Sequence, residues 1–178
     1  MRVIAGEFRS RRLKTLPGLE TRPTPDRLRE ALFNVLAPHI VDSVFLDAYA
    51  GTGAVGIEAL SRGARRCIFV EKSREAVEII RENLAALGIE GRAEVFTGRA
   101  SAVLERLKAD IVFLDPPYER ADEYEIAMVA ADRGADQFVI VQHESRMELK
   151  TEYGELRRFR VLKQGNNSLS FYHRSVDD

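Results

Sequence analysis

Val44-Phe45-Leu46-Asp47-Ala48-Tyr49-Ala50-Gly51-Thr52-Gly53-Ala54-Val55-Gly56 decides the fold of this chain. Three apolar residues read as a short strand. Glycines mark a loop in which the backbone can approach a ligand with no Cβ in the way. Ala54–Arg62 then reads as a helix stopped by Gly63. Outward from this unit, strand and helix alternate. Cys67–Val70 reads as a second strand. Ser73 caps a helix with buried positions at Ala76, Val77, Ile80, Leu84 and Leu87, and Gly88 lies just past its end. Ala93–Phe96 is a third strand and Ala100–Leu107 a short helix. Asp110–Leu114 is a continuous apolar strand, as expected at the centre of a parallel sheet. Glu123–Arg133 is a helix and Phe138–Val141 a fifth strand. Leu156–Leu162 and Ser168–His173, joined by Gln164-Gly165-Asn166-Asn167, form a closing hairpin.

The expected architecture is an α/β, Rossmann-like, doubly wound sheet with right-handed crossovers and an antiparallel strand from the final hairpin. Ahead of it, Arg2–Ala5 and Arg11–Lys14 read as a small hairpin, and Pro17, Gly18, Pro23 and Pro25 mark a loop. A helix is expected with Thr24 as N-cap and Pro25 as its first residue, ending at Pro38. This divides the chain into an extension over 1–24 and a main domain over 25–178.

Composition narrows the function. Hydrophobic residues make up 45% of the 178, enough for a sizeable core. The longest apolar runs fall far short of a membrane span, and no apolar signal region opens the chain. One cysteine, Cys67, excludes a disulfide framework and argues against a zinc site; a reducing cytoplasm fits. Residues 1–30 hold eight Lys/Arg against four Asp/Glu, while the remainder holds 19 against 24. A basic end on an acidic body points to a polyanion, or simply to a solvated face.

Ligands of such sheets bind beyond the carboxyl ends of the strands. Glu71, at the end of the second strand, can accept both hydroxyl protons of a ribose. Gly51, Gly53 and Gly56 also spell the dinucleotide pattern G-x-G-x-x-G, so a nicotinamide enzyme is a candidate. Against it, Asp47 and three further residues separate strand from glycines, and 178 residues leave little room for a substrate domain. An acid at the strand end suits a ligand carrying an ammonium group, as the methionine part of S-adenosylmethionine (SAM) does.

The fourth strand ends in Asp115-Pro116-Pro117-Tyr118. Two prolines remove two backbone donors, so the Asp115 carboxylate and the nearby carbonyls, notably that of Pro116, become acceptors. Accepting the N–H hydrogens of an exocyclic base amine turns its lone pair toward a methyl donor. The Tyr118 ring offers a stacking face worth about 1–3 kcal/mol per base. Alignment and electrostatics, rather than a strong base, would carry the reaction. His39 reads as a loop residue, His173 as an exposed residue of a late strand, and His143-Glu144 as the rim of the site. No cluster has metal-ligand spacing.

With these residues on the page, the chain resembles the class I SAM methyltransferases of the D/N-P-P-Y/F group. Within them it is similar to the RsmD family, which methylates guanine N2 in 16S rRNA. The most particular stretch is Arg22-Pro23-Thr24-Pro25-Asp26-Arg27-Leu28-Arg29-Glu30-Ala31-Leu32-Phe33-Asn34, which looks like that family's R-P-T-x-D-R-x-R-E-x-L-F-N signature. Gly6–Leu13 looks like its basic hairpin. The resemblance implies a seven-stranded sheet, SAM as methyl donor, and one guanine of 16S rRNA as target, on an assembled or assembling small subunit. Carried over, Asp47, Gly51, Gly53, Glu71, Thr24, Arg99 and Ala100 bind the cofactor. Asp115, Pro116, Pro117 and Tyr118 are catalytic, and Arg9, Arg11, Arg12 and Arg22 hold the substrate. Two positions depart from the pattern. Arg99 stands where relatives carry Asp or Asn, so backbone groups of Gly98–Ala100 substitute, and Gln164 stands where an aromatic residue often precedes the hairpin glycine. The alternatives are an adenine-N6 nucleic-acid methyltransferase, a protein-glutamine methyltransferase and a non-enzymatic RNA-binding module.

Overall fold

The structure is a computed structural model and describes residues 1–17 and 24–175. Eight strands form one sheet: β1 (Val44–Ala48), β2 (Arg66–Glu71), β3 (Ala93–Thr97), β4 (Ala109–Leu114), β5 (Ala135–Glu144), β6 (Glu152–Tyr153), β7 (Leu156–Gln164) and β8 (Asn167–Arg174). Their order is β3-β2-β1-β4-β5-β8-β7-β6. The first five are parallel, and β8 runs antiparallel between β5 and β7. The sheet has one strand more than the seven expected, because Glu152 and Tyr153 pair with Arg157 and Leu156 as a two-residue edge. So short a pair leaves no periodicity to read in the sequence.

Helices α1 (Asp26–Ile40), α2 (Ala54–Ser61) and α3 (Arg74–Leu87) cover one face, and α4 (Ala100–Val103) and α5 (Ala121–Gly134) the other. Side chains alternate along each strand. Phe45, Phe69 and Phe113 therefore pack with Leu32, Ile57 and Ile80, while Leu46, Val70 and Val112 pack with Leu104, Tyr124 and Met128. β4, apolar on both faces, lies between β1 and β5, where only such a strand is tolerated. The caps expected for α3 are present: the Ser73 hydroxyl accepts from Ala76 N at 3.3 Å, and Gly88 is left-handed.

Three expectations about the helices needed correction. Helix α1 does not stop at Pro38 but runs to Ile40. Pro38 removes one hydrogen bond in the last turn, and the burial of Leu36 and Ile40 on one side holds that turn closed. Thr24 is not the N-cap; Pro25 is, and the Thr24 hydroxyl donates elsewhere. The segment Ala100–Leu107 divides into α4 and a tighter turn over Leu104–Arg106.

The amino-terminal segment is a strap rather than a regular hairpin. One antiparallel bridge, Arg2 to Arg12, replaces two strands. Val3, Phe8 and Leu13 belong to the same core as α1 and α2. The fully buried Glu58 carboxylate on α2 accepts from the backbone N–H of Ile4 at 2.8 Å and of Ala5 at 3.1 Å. Ser61 Oγ accepts from Phe8 N at 3.0 Å and donates to Ala5 O at 2.6 Å.

Candidate functional site

Two cavities, each of about 620 Å³, open at the carboxyl ends of the parallel strands. The first is walled by Gly98–Ser101 on one side and by Asp115–Arg120, Ile126 and Gln142 on the other. The second is walled by Asp47, Tyr49–Thr52, Thr24–Asp26 and Phe113. Tyr49, Glu71 and Asp115 line both. Sequentially distant strand ends meet there because β1, β2 and β4 are adjacent and parallel, so their carboxyl ends come out together.

Glu71 is half-buried. Its Oε2 accepts from Gly51 N at 2.7 Å and its Oε1 from Ser73 N at 3.0 Å, which fixes the carboxylate against the glycine loop. Each oxygen keeps a lone pair for a further donor. Gly51 has φ 58°, and a Cβ there would project into open space beside the loop, the clearance a ligand needs. Gly53 does a different job. It caps α2 at φ 86°, packs against Ile80 and Phe69, and lies on neither cavity wall.

Asp47 is 1% exposed, and its Oδ2 accepts from Gly56 N at 2.8 Å, securing the start of α2. Burial raises its pKa well above the usual carboxylate value; the Gly56 N–H opposes this, and the charges of Asp115 and Glu71 add to it. Thr24, 8% exposed, donates from Oγ1 to Gln142 Oε1 at 2.9 Å and stands in the second cavity's wall. Arg99 is exposed at the first cavity, and buried Ala100 begins α4 beside it.

Asp115, Pro116, Pro117 and Tyr118 all face the first cavity. The Pro116 carbonyl is not reserved for substrate: the Tyr124 hydroxyl lies 3.2 Å from it and 3.4 Å from Gln142 O. The Tyr118 hydroxyl donates to Asn167 Oδ1 at 2.7 Å and accepts from Gln142 Nε2 at 3.4 Å. A chain Thr24–Gln142–Tyr118–Asn167 thus links the residues leading into α1, β5, the turn after β4, and β8.

Of the cations expected to hold substrate, Arg9, Arg11 and Arg12 line neither cavity. Arg9 and Arg12 are exposed on the strap, and Arg11 donates to Ala86 O at 3.0 Å, at the carboxyl end of α3. Arg22 lies outside the described residues. Arg29, from the signature stretch, is 0% exposed. It donates to Arg2 O at 2.7 Å and to Asp26 Oδ1 at 3.1 Å, with Glu58 Oε1 3.9 Å from its Nε, so part of the basic character of residues 1–30 is interior.

Sequence reasoning missed Tyr49, Glu123, Tyr124, Gln142 and Asn167. Tyr49 has φ 61° and donates to Glu123 Oε1 at 2.7 Å. Gln142 carried a signal, a polar residue directly after Phe138–Val141 at a strand's carboxyl end; Asn167 carried none. His143 is buried, its Nε2 2.8 Å from Ser170 Oγ, and lines neither cavity. His39 is not in a loop but in the last turn of α1, its ring 4.6 Å from that of Phe138. His173 is half-buried rather than exposed. Among the described residues no group of three or more His, Cys, Asp or Glu could hold a metal ion. No described helix is long and apolar enough to cross a membrane.

The donor set fits SAM. Two acids, Glu71 and Asp115, stand in the walls of both cavities, where a sulfonium would be welcome, and buried Asp47 stands in that of the second. Glu71 stands beside the Gly98–Ala100 backbone. Fold and site together define a class I methyltransferase. The chain belongs to the RsmD family, described as "Conserved hypothetical protein 95", which matches residues 1–173. It is 40% identical over 152 residues to Ribosomal RNA small subunit methyltransferase D of Escherichia coli (strain K12), covering 83% of this chain and 76% of that one. YlbH of Bacillus subtilis (strain 168) is 34% identical over 186 residues, covering 97% and 98%. A solved structure of yhhF from Escherichia coli superposes with TM-score 0.88 at 37% identity, covering 99% of each chain.

Proposed function

We propose that the chain transfers a methyl group from SAM to the exocyclic N2 amine of a guanine in 16S rRNA, in the cytoplasm, on an assembled or assembling small subunit. The observation that carries this is the place of Asp115 in the wall of both cavities, between a cofactor half and a substrate half. SAM supplies an electrophilic methyl on a sulfonium. Glu71 would hold the ribose hydroxyls, Gly98–Ala100 the adenine, and Gly51, Thr24 and Asp47 the methionine end. The name of the Escherichia coli relative supports a small-subunit rRNA substrate.

On the substrate side, Asp115 accepts an N–H of the amine and turns its lone pair out of conjugation. The Pro116 carbonyl, with a second lone pair beyond the one facing Tyr124, accepts the other. Pro117 stiffens the turn, and the Tyr118 ring stacks on the base. As the nitrogen–methyl bond forms, the methyl–sulfur bond would break and leave a neutral thioether, and the nitrogen's proton would pass to Asp115 or to water, so no strong base is needed. Arg9 and Arg12, exposed on the strap, hold phosphates.

The test incubates the protein with methyl-labelled SAM and small-subunit rRNA, free or in particles, and identifies the labelled nucleoside by mass spectrometry. N2-methylguanosine is expected. Asp115→Ala should lower turnover at least roughly 100-fold, on the scale of losing a charge-stabilising group, while SAM binding stays near wild type. Labelled N6-methyladenosine, or label in protein, would overturn the assignment.

A further inference from the structure

The strap is not the most basic part of the chain. The hairpin β7–β8, residues 156–174, contains Arg157, Arg158, Arg160, Lys163 and Arg174 and no Asp or Glu. Some of these charges are committed. Arg157 pairs with Glu152, Arg174 pairs with Asp132 and Glu155, and Arg158 donates to Leu149 O at 3.3 Å. Arg160 and Lys163 are exposed, and neither enters an ion pair among the described residues. Phe159, beside Arg160, and Val161, between the two cations, are 46% and 38% exposed, and the inner side of the Phe159 ring packs against Phe138, Phe171 and His173.

The strand carrying these groups is open along its outer side. β6 pairs only with Leu156 and Arg157, and Thr151 O accepts from Arg158 N, so Phe159–Gln164 has no outer strand among the described residues. At its far end the hairpin reaches the catalytic turn, where Asn167, paired with Gln164, accepts the Tyr118 hydroxyl at 2.7 Å. With about 3.3 Å of rise per residue, Arg160 lies roughly 13 Å along the strand from Gln164.

We infer that the outer edge of β7, through Arg160 on the face it shares with Phe171 and Lys163 on the opposite face, is a second RNA-backbone contact whose two cations straddle the edge and lead phosphates toward the substrate cavity. The inference rests on the RNA-substrate reading above. A lysine on a sheet edge also serves to block edge-to-edge pairing. That role needs only an isolated charge. It does not account for 19 residues without a carboxylate, an exposed aromatic among the cations, and direct continuity with the residue that holds Tyr118. RNA supplies the complementary charge and planar groups for the ring.

The test is the double variant Arg160→Gln, Lys163→Gln, with the charge-preserving pair Arg160→Lys, Lys163→Arg as control. Binding of small-subunit rRNA is measured across salt concentrations. Two lost phosphate contacts should reduce the slope of log K against log salt by roughly 1.4–1.8 units. SAM affinity should stay constant, and the control should keep the wild-type slope. An unchanged slope with full methylation overturns this contact while leaving the methyltransferase reading intact. A monomer-to-aggregate shift with an unchanged slope assigns the charges to edge protection and overturns it too. Absence of RNA binding by the wild-type protein overturns both.

Discussion

The hydroxyl of Tyr118 donates to Oδ1 of Asn167 at 2.7 Å, so the Asp115–Tyr118 turn, proposed above to hold the methyl-receiving amine, is pinned by the last strand of the fold. The ring that is to stack on the base therefore has its distal end fixed from outside the catalytic motif.

Asn167→Ala and Tyr118→Phe remove the same hydrogen bond from opposite ends. Each should raise KM for RNA about 2- to 10-fold, from a net bond of about 0.5–1.5 kcal/mol, with a smaller change in kcat. The double variant should be no worse than the stronger single. Tyr118→Ala should be more severe, because the stacking face is lost as well. Full additivity in the cycle would show that the bond does not orient the ring.

Glu71→Ala should weaken SAM binding roughly 10- to 150-fold, the range for losing charged hydrogen bonds of about 1.5–3 kcal/mol. It also releases Gly51 N and Ser73 N, so Glu71→Gln, which keeps one acceptor oxygen, should be milder. Calorimetry with SAM decides it, and an unchanged affinity would misplace the cofactor.

Asp47 should make stability pH-dependent. Its folded pKa lies above the unfolded value, chiefly through burial. Its favourable contribution is thus fully present below the unfolded carboxylate pKa, about 3.9, and is lost as pH rises through the raised folded value. Urea unfolding over that window should show wild type losing stability relative to Asp47→Asn, whose amide oxygen can still accept from Gly56 N. Parallel pH profiles for the two proteins would contradict the raised pKa.

The doubly wound order and the site's strand ends were legible in the sequence because hydrophobic alternation and glycine punctuation are local signals. Asp47, Glu71 and Asp115 each stand at the end of an apolar run, and parallel pairing brings the three ends together. Asn167 and Tyr49 were not legible. Asn167 meets Tyr118 only because β8 inserts between β5 and β7, a pairing across 49 residues. Tyr49 adopts a left-handed backbone that sequence assigns to glycine. The charge census of residues 1–30 misled in a different way, since Arg29 is interior.

Glu58→Gln should destabilise the protein by roughly 3–5 kcal/mol, the scale for removing one partner of a buried ion pair. Arg29 and Glu58 are both 0% exposed, and burial already lowers the Arg29 pKa while Glu58 opposes that shift. A loss under about 1 kcal/mol in urea would mean that interior water serves the arginine instead.

The attachment of Ile4 and Ala5 to Glu58 has a consequence for how this chain can change its target. Cutting away the first sixteen residues would strip the Glu58 carboxylate of two N–H donors, leave it to the buried Arg29 and the half-buried Arg62, and uncover the apolar patch that Val3, Phe8 and Leu13 close. An RNA-reading arm on a tether can be swapped between enzymes as a cassette; this one is a structural member of the catalytic body. If the strap contacts RNA as proposed, new specificity must therefore arise by point substitution at outward positions such as Arg9 and Arg12, one contact at a time, with the scaffold beneath held constant.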